Sequence, residues 1–240
     1  MQITSQTFKA NTVKALADID LQRALGNVEK GFIGKRQKAV DKLPEFDALR
    51  DNAVAIKTHT LKHLDLYIEA YIEKVEASGG TVHFAEDADH ARRIFLDIAK
   101  RRGARTVTKG KTMISEEIGL NDFLEQNGMV PVETDLGEYI IQLRGEHPSH
   151  IIAPAVHINR DQVEADFRRV HVDLDPERDL TAPETLLAEA RGILRQRYGE
   201  ADIGVTGANF LIAETGSSVI VTKSGKTVTG GRLNLAAAIT

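Results

Sequence analysis

Apolar positions recur at steps of three and four from Ala53 through Ile56, Thr60, Leu64, Tyr67, Tyr71 and Val75, and Ser78-Gly79-Gly80 ends the run. With about 3.6 residues per helical turn, that spacing puts them on one face and predicts a single long amphipathic helix. Downstream the pattern changes to short apolar runs alternating with helical stripes. Residues 81–85, 105–108, 129–132, 139–143 and 150–153 have strand composition. Between them, Ala91, Ile94, Phe95 and Ile98 mark a helix closing at Gly103, so residues 81–108 read as a βαβ unit. A helix opening near Ser115, with that hydroxyl as its cap, carries Ile118 and Phe123 to Asn127-Gly128. Asn159 with Gln162 three residues later forms a capping box for a helix bearing Val163, Phe167 and Val170. Pro183 suits the first turn of a helix with Leu186, Leu187, Ala190, Ile193 and Leu194 inward, ending at Gly199. Strands at 203–206, 209–213 and 218–222 follow, separated by glycine-containing turns.

This alternation predicts an α/β fold with a Rossmann-like, mostly parallel sheet covered by helices on both faces and an antiparallel edge from the final strand pair. Residues 1–44, which hold the basic cluster Lys30, Lys35, Arg36 and Lys38, read as a helical N-terminal arm. Residues 45–240 form the main domain, with Pro44 as punctuation.

Composition narrows the chemistry. At 240 residues and 42% hydrophobic content the chain can bury a substantial core. A net charge of −4 gives no overall basic excess to attract nucleic acid or an anionic membrane surface. With no cysteine, the chain itself offers no disulfide, thiolate-bound zinc or cysteine-ligated iron–sulfur cluster. Its apolar runs all fall short of the roughly 20 residues that span a bilayer, and a cytoplasmic location is expected.

Several groups are candidates for chemistry. Lys109-Gly110-Lys111-Thr112 lies between a predicted strand and a helix, where backbone amides and two ammonium groups can hold a phosphate or carboxylate. Arg105 stands where a Walker loop needs its first glycine, which excludes that kind of nucleotide hydrolysis. A solvated basic turn near Lys100, Arg101 and Arg102 accounts for the same residues. Glu116 and Glu117 fit a first helical turn, or Glu116 or Glu117 turns back toward the anion loop as a general base. Glu214, in Ala213-Glu-Thr-Gly216 between apolar flanks, is either held by turn amides or is a catalytic carboxylate, with Thr215 and Gly216 beside it at a strand end. His150 and His157 flank an Ala-Pro-Ala segment and suit a pocket edge better than a metal, and His59 and His63 read as helix surface. Asp135 and Glu138 shape the turn at Gly137 or contact a ligand.

The ordered blocks 108–121, 133–143 and 148–155, with Pro44-Glu-Phe-Asp-Ala-Leu-Arg50, Gly79-Gly-Thr-Val-His-Phe-Ala85, Gly207-Ala-Asn-Phe210 and Ala213-Glu-Thr-Gly216, resemble the LUD domain of the lactate-utilization protein B family. The resemblance runs from about Leu43 to Thr222. It implies a Rossmann-type domain related to ribose-5-phosphate isomerase and CoA-transferase folds, a ligand-facing Lys109–Thr112 loop, and a part in oxidising L-lactate to pyruvate beside other subunits of a complex. It also implies a cysteine-rich, ferredoxin-like portion carrying iron–sulfur clusters. Here residues 223–240 carry no cysteine, so the expectation is a LUD domain truncated at its C-terminus that binds a small anionic substrate and assembles with partners. A stand-alone phosphosugar-isomerase-like or CoA-transferase-like enzyme using Glu214 is the alternative.

Overall fold

The computed structural model describes residues 5–221, 227–229 and 234–236. Its contacts divide the chain into two compact units. One comprises residues 1–27, 85–207 and 233–240, and the other residues 28–84 and 208–232.

The N-terminal stretch is helical: α1 (Phe8–Ala17), α2 (Ile19–Val28), a π-helical turn and α3 (Gly34–Val40). The long helix expected after Pro44 is two helices, α4 (Phe46–Lys62) and α5 (Leu64–Ala77). They break at His63, whose φ/ψ of −125°/36° leaves helical space while its amide bonds to Thr60 at 3.2 Å. The Thr60 hydroxyl bonds back to the Ile56 carbonyl, a local alternative to a regular ladder. Residues 81–85 belong to no described helix or strand, so the first strand of the predicted βαβ unit is not formed among the described residues.

In the first unit, α6 (Ala88–Arg101) leads through Gly103, at φ +64°, into β1 (Thr106–Gly110). Two short helices, α7 (Met113–Glu117) and α8 (Leu120–Gln126), connect β1 to β2 (Val130–Glu133). Ser115 does not cap: it lies inside α7 and its hydroxyl donates to the Thr112 carbonyl at 2.7 Å. Then come α9 (Leu136–Arg144), α10 (Arg160–Val170), α11 (Pro183–Glu200) and β3 (Ile203–Thr206). The Asn159–Gln162 capping box is present, and Pro183 opens α11.

Two strand expectations fail here. Residues 139–143 lie in α9, opened by the Asp135 carboxylate on the Gly137 amide and closed by Gly145 at φ +65°. Tyr139, Ile140 and Ile141 are all buried, and so short a run of consecutive apolar residues has no period to separate a helix from a buried strand. Residues 150–153 form a turn whose Ile152 and Ala153 amides donate to His150 Nδ1, leaving Ile151 and Ile152 exposed.

The described parallel sheet has the order β2-β1-β3-β7, with β7 (Asn234–Ala236) at one edge, so the Rossmann-like α/β architecture holds. Phe95, Leu96, Ala99, Leu120 and Leu124 from α6 and α8 pack with Val107, Ile203 and Val205 on one face. Tyr139, Phe167, Leu186, Ala190 and Leu194 of α9, α10 and α11 form the second core with Val132 against it. Side chains alternate along a strand, so Val107 and Val132 report opposite faces.

In the second unit β4 (Phe210–Ile212), β5 (Ser217–Val221) and β6 (Thr227–Thr229) make a separate antiparallel sheet, where an edge of the parallel sheet was expected. Gly216, at φ +68°, brings the β4–β5 turn against α5: a Cβ there would stand 2.7 Å from the Val75 nitrogen. Tyr71 and Ser218 hydroxyls meet at 3.1 Å.

Candidate functional site

Parallel strands β1, β2 and β3 all point their C-terminal ends the same way, and the connections leaving β1 (α7 and α8) and β2 (α9, α10 and α11) pack in the two different cores. Open α/β sheets bind ligands in the crevice at such a divergence. Gly207, just after β3, presses on the β1 loop so closely that a Cβ would lie 2.3 Å from the Lys111 carbonyl oxygen. Lys111 takes φ +58°, a left-handed conformation that costs a lysine about 1 kcal/mol or more.

Behind that loop sits a buried charge cluster. Lys109 and Glu133 are register partners in β1 and β2, so their side chains leave the same face. Lys109 is 1% exposed, and its ammonium donates to Asn121 Oδ1 at 2.6 Å, Glu133 Oε1 at 2.8 Å and Glu116 Oε1 at 3.4 Å. The Asn121 amide donates in turn to Glu133 Oε1 at 2.8 Å. All three ammonium protons are committed inside the protein, so electrostatics and hydrogen bonding are satisfied together. Burial raises the Glu116 carboxyl above its usual range, against the pull of Lys109 and with Glu133 adding to it.

At the end of β2, Thr134 donates its hydroxyl to the Lys109 carbonyl at 2.7 Å, and the Tyr198 hydroxyl donates to Thr134 at 3.1 Å. Asp135 caps α9 and pairs with Lys111, tying the two loops together. Glu138, in the first turn of α9, is 8% exposed and its Oε2 has no hydrogen-bond partner among the described residues. Burial, with Glu133 and Glu116 adding repulsion against the opposing effect of Lys109 and Lys111, pushes its carboxyl up to about 7. Thr112, 4% exposed, likewise leaves Oγ1 unpartnered among the described residues. Beside these loops an open groove of about 530 Å³ is lined by Thr134, Asp135, Leu136, Leu194 and Tyr198, with Arg191 and Arg195 on its α11 side. That volume falls within the range of small-molecule sites.

Of the residues expected from sequence, Lys109, Gly110, Lys111, Thr112 and Glu116 therefore converge on one strand end. Gly110 earns its place sterically, since a Cβ would meet Thr134 Oγ1 at 2.7 Å. His157 bonds Glu146 at 3.0 Å, and its buried Nδ1 has no hydrogen-bond partner among the described residues. His150 accepts turn amides of its own loop. Glu214 and Thr215 are exposed in the β4–β5 turn of the antiparallel sheet, whose flanking Phe210, Leu211 and Ile212 are exposed as well. Glu214 thus lies in the turn that joins two antiparallel strands.

Sequence reasoning missed Asn121 and Glu133 as parts of the cluster. Aligning 106–109 with 130–133 would have found Glu133, because an inward lysine in a central parallel strand requires a carboxylate at the same height on its neighbour. A second network also went unread: Tyr139 meets His171 Nε2 at 2.8 Å, His171 Nδ1 meets Glu189 Oε1 at 2.6 Å, and Arg178 donates to Glu189 Oε2 at 2.6 Å. Burial opposes ionisation of Glu189, but the bonds from Arg178 and His171 outweigh it and hold the carboxyl below its usual range. This network clamps α9, α10 and α11 together.

Among the described residues no group of three or more histidine or acidic side chains is arranged to hold a metal, and the chain has no thiolate to offer an iron–sulfur cluster. The donor set does not fit such a group.

Fold and site together define an α/β domain with a parallel sheet and an ion-paired strand end. The LUD domain model matches residues 68–230, and the chain belongs to that family. It is 41% identical over 92% of its length to the uncharacterized electron transport protein YkgF of Escherichia coli. To lactate utilization protein B of Bacillus licheniformis and of Bacillus subtilis it is 38% and 37% identical over 94% of its length. It spans 46% of each of these relatives, about half their length. No solved structure matches it at a significant level.

Proposed function

We propose that this chain is the LUD-domain portion of a lactate-utilization protein B, acting in L-lactate oxidation to pyruvate as a ligand-binding and assembly module in the cytoplasm. The observation that carries this reading is its 38% identity, over 94% of the chain, to a relative named lactate utilization protein B. The position of the loop supports it: Lys109, Lys111 and Thr112 stand at the C-terminal end of β1, the end of a parallel sheet at which such folds bind ligands. Electron transfer belongs to partner subunits and to the cysteine-bearing portion that the family resemblance implies, since this chain has no thiolate to carry a cluster.

Deleting the gene from its host and comparing growth on L-lactate with growth on glucose tests the reading. Loss of growth on L-lactate alone, restored by the intact gene, is expected. Normal growth on L-lactate would overturn it.

A further inference from the structure

The groove of about 530 Å³ beside the end of β2 takes most of its lining from a single stripe of α11. Leu187, Ala190, Arg191, Leu194, Arg195 and Tyr198 recur at helical steps of three and four, so they share one face over about 16 Å at 1.5 Å per residue. The remaining lining is Thr134, Asp135 and Leu136, where β2 passes into α9. Ala190 and Leu194 are buried, whereas Tyr198 is 60% exposed. Its hydroxyl is tied to Thr134 at 3.1 Å, so an anchored aromatic ring borders open space.

The charges on that stripe decide what fits. Arg191 and Arg195 stand one helical turn apart and make no hydrogen bond or ion pair with any described residue. The flanking acids of α11 are committed elsewhere, Glu189 to Arg178 and His171 and Glu200 to Arg197 and Gln196. Asp135, the acid in the groove's own lining, is answered by Lys111. Two guanidinium charges thus border an apolar cleft with no carboxylate to balance them among the described residues. An organic anion complements both properties. A phosphate monoester, with a charge of about −1.5 to −2 at neutral pH, matches two arginines where a monocarboxylate leaves one unanswered. Guanidinium forks bind phosphate oxygens in pairs, and an aromatic ring packs on the Tyr198 ring and the apolar lining.

We propose that this groove binds an aromatic organic phosphate, its ring against Tyr198 and Leu194 and its phosphate on Arg191 and Arg195. L-lactate has no ring, carries a single negative charge and is short against so long a stripe, so this ligand is a further one, beyond the lactate reading. No bond is made or broken.

Isothermal titration of the 240-residue chain with AMP tests this, with adenosine and inorganic phosphate as the two halves of the probe. AMP should bind saturably, and each half about tenfold more weakly or worse. Arg191→Gln combined with Arg195→Gln should weaken AMP binding about tenfold or more, and Tyr198→Leu about fivefold or more. The two arginines hold nothing else among the described residues, so the double variant should keep the wild-type Tm, and its lost affinity then reports lost contacts rather than lost structure. In the wild-type chain, AMP should move the amide resonances of residues 134–136 and 187–198. No saturable AMP binding, equal affinity in the double variant, shifts confined to other residues, or inorganic phosphate binding as tightly as AMP would overturn the proposal. Growth on L-lactate after gene deletion tests the functional reading separately, so AMP binding without a growth defect would overturn that reading alone.

Discussion

Lys109 carries no solvent exposure at its side chain, and Glu133 only 5%. Charges this deep are tolerated because each answers the other, and removing one leaves the rest stranded. Lys109→Met should therefore cost about 3–5 kcal/mol in urea unfolding, far more than loss of an exposed ion pair such as that of Arg50 with Asp47. Glu138 behaves in the opposite sense. Its folded-state carboxyl sits at about 7, above its value of 4.5 in the unfolded chain. The folded protein therefore binds more protons between these values, and stability falls as pH rises through that window. The full shift corresponds to about 3 kcal/mol at alkaline pH. Glu138→Gln should raise stability by about 2 kcal/mol at pH 8 and by little at pH 5, read from melts at the two pH values. Neither residue's burial is written in its neighbours along the chain; it follows from which strands pair.

Elements with strong local signals were legible. The Asn159–Gln162 box, Pro183 at the start of α11 and the stripe of α6 all stand where the pattern put them. Elements whose identity depends on burial were not. The run from Tyr139 to Leu143 is apolar because α9 lies between neighbours in the second core, and the run at 81–85 pairs with no described strand. The Lys-Gly-Lys loop was legible as a strand-to-helix turn, but its hold on β3 was not, because Gly207 is almost a hundred residues away. Gly207→Ala is the sharpest test of that hold. Its methyl would overlap backbone, which cannot swing aside like a side-chain tip. A fall of several degrees in Tm, with displaced amide resonances at Lys111 and Thr112, is the expected result.

At the scale of the whole molecule, burial is unevenly shared. Every described residue in the buried hydrophobic core belongs to residues 1–27 or 85–207, and none to 28–84 or 208–221. Local opening free energies follow buried contacts, so amide exchange should be slow in β1, β2, β3 and α11 and faster by orders of magnitude in α4, α5, β4 and β5. Uniform protection across the two sets would contradict this. Family membership was readable from ordered blocks spread over the chain, whereas the site was only half readable: its lysines and Asn121 lie in one block, but Glu133 and Glu138 meet them only through sheet order. That sheet order has a built-in check. Were β2 to pair with β1 one residue out of step, Glu133 would turn to the opposite face and leave the Lys109 ammonium bare in an apolar layer. The pair is thus an error detector for strand assembly: misaligned sheets are penalised while they form, and the chain is steered to the one alignment in which both charges are answered.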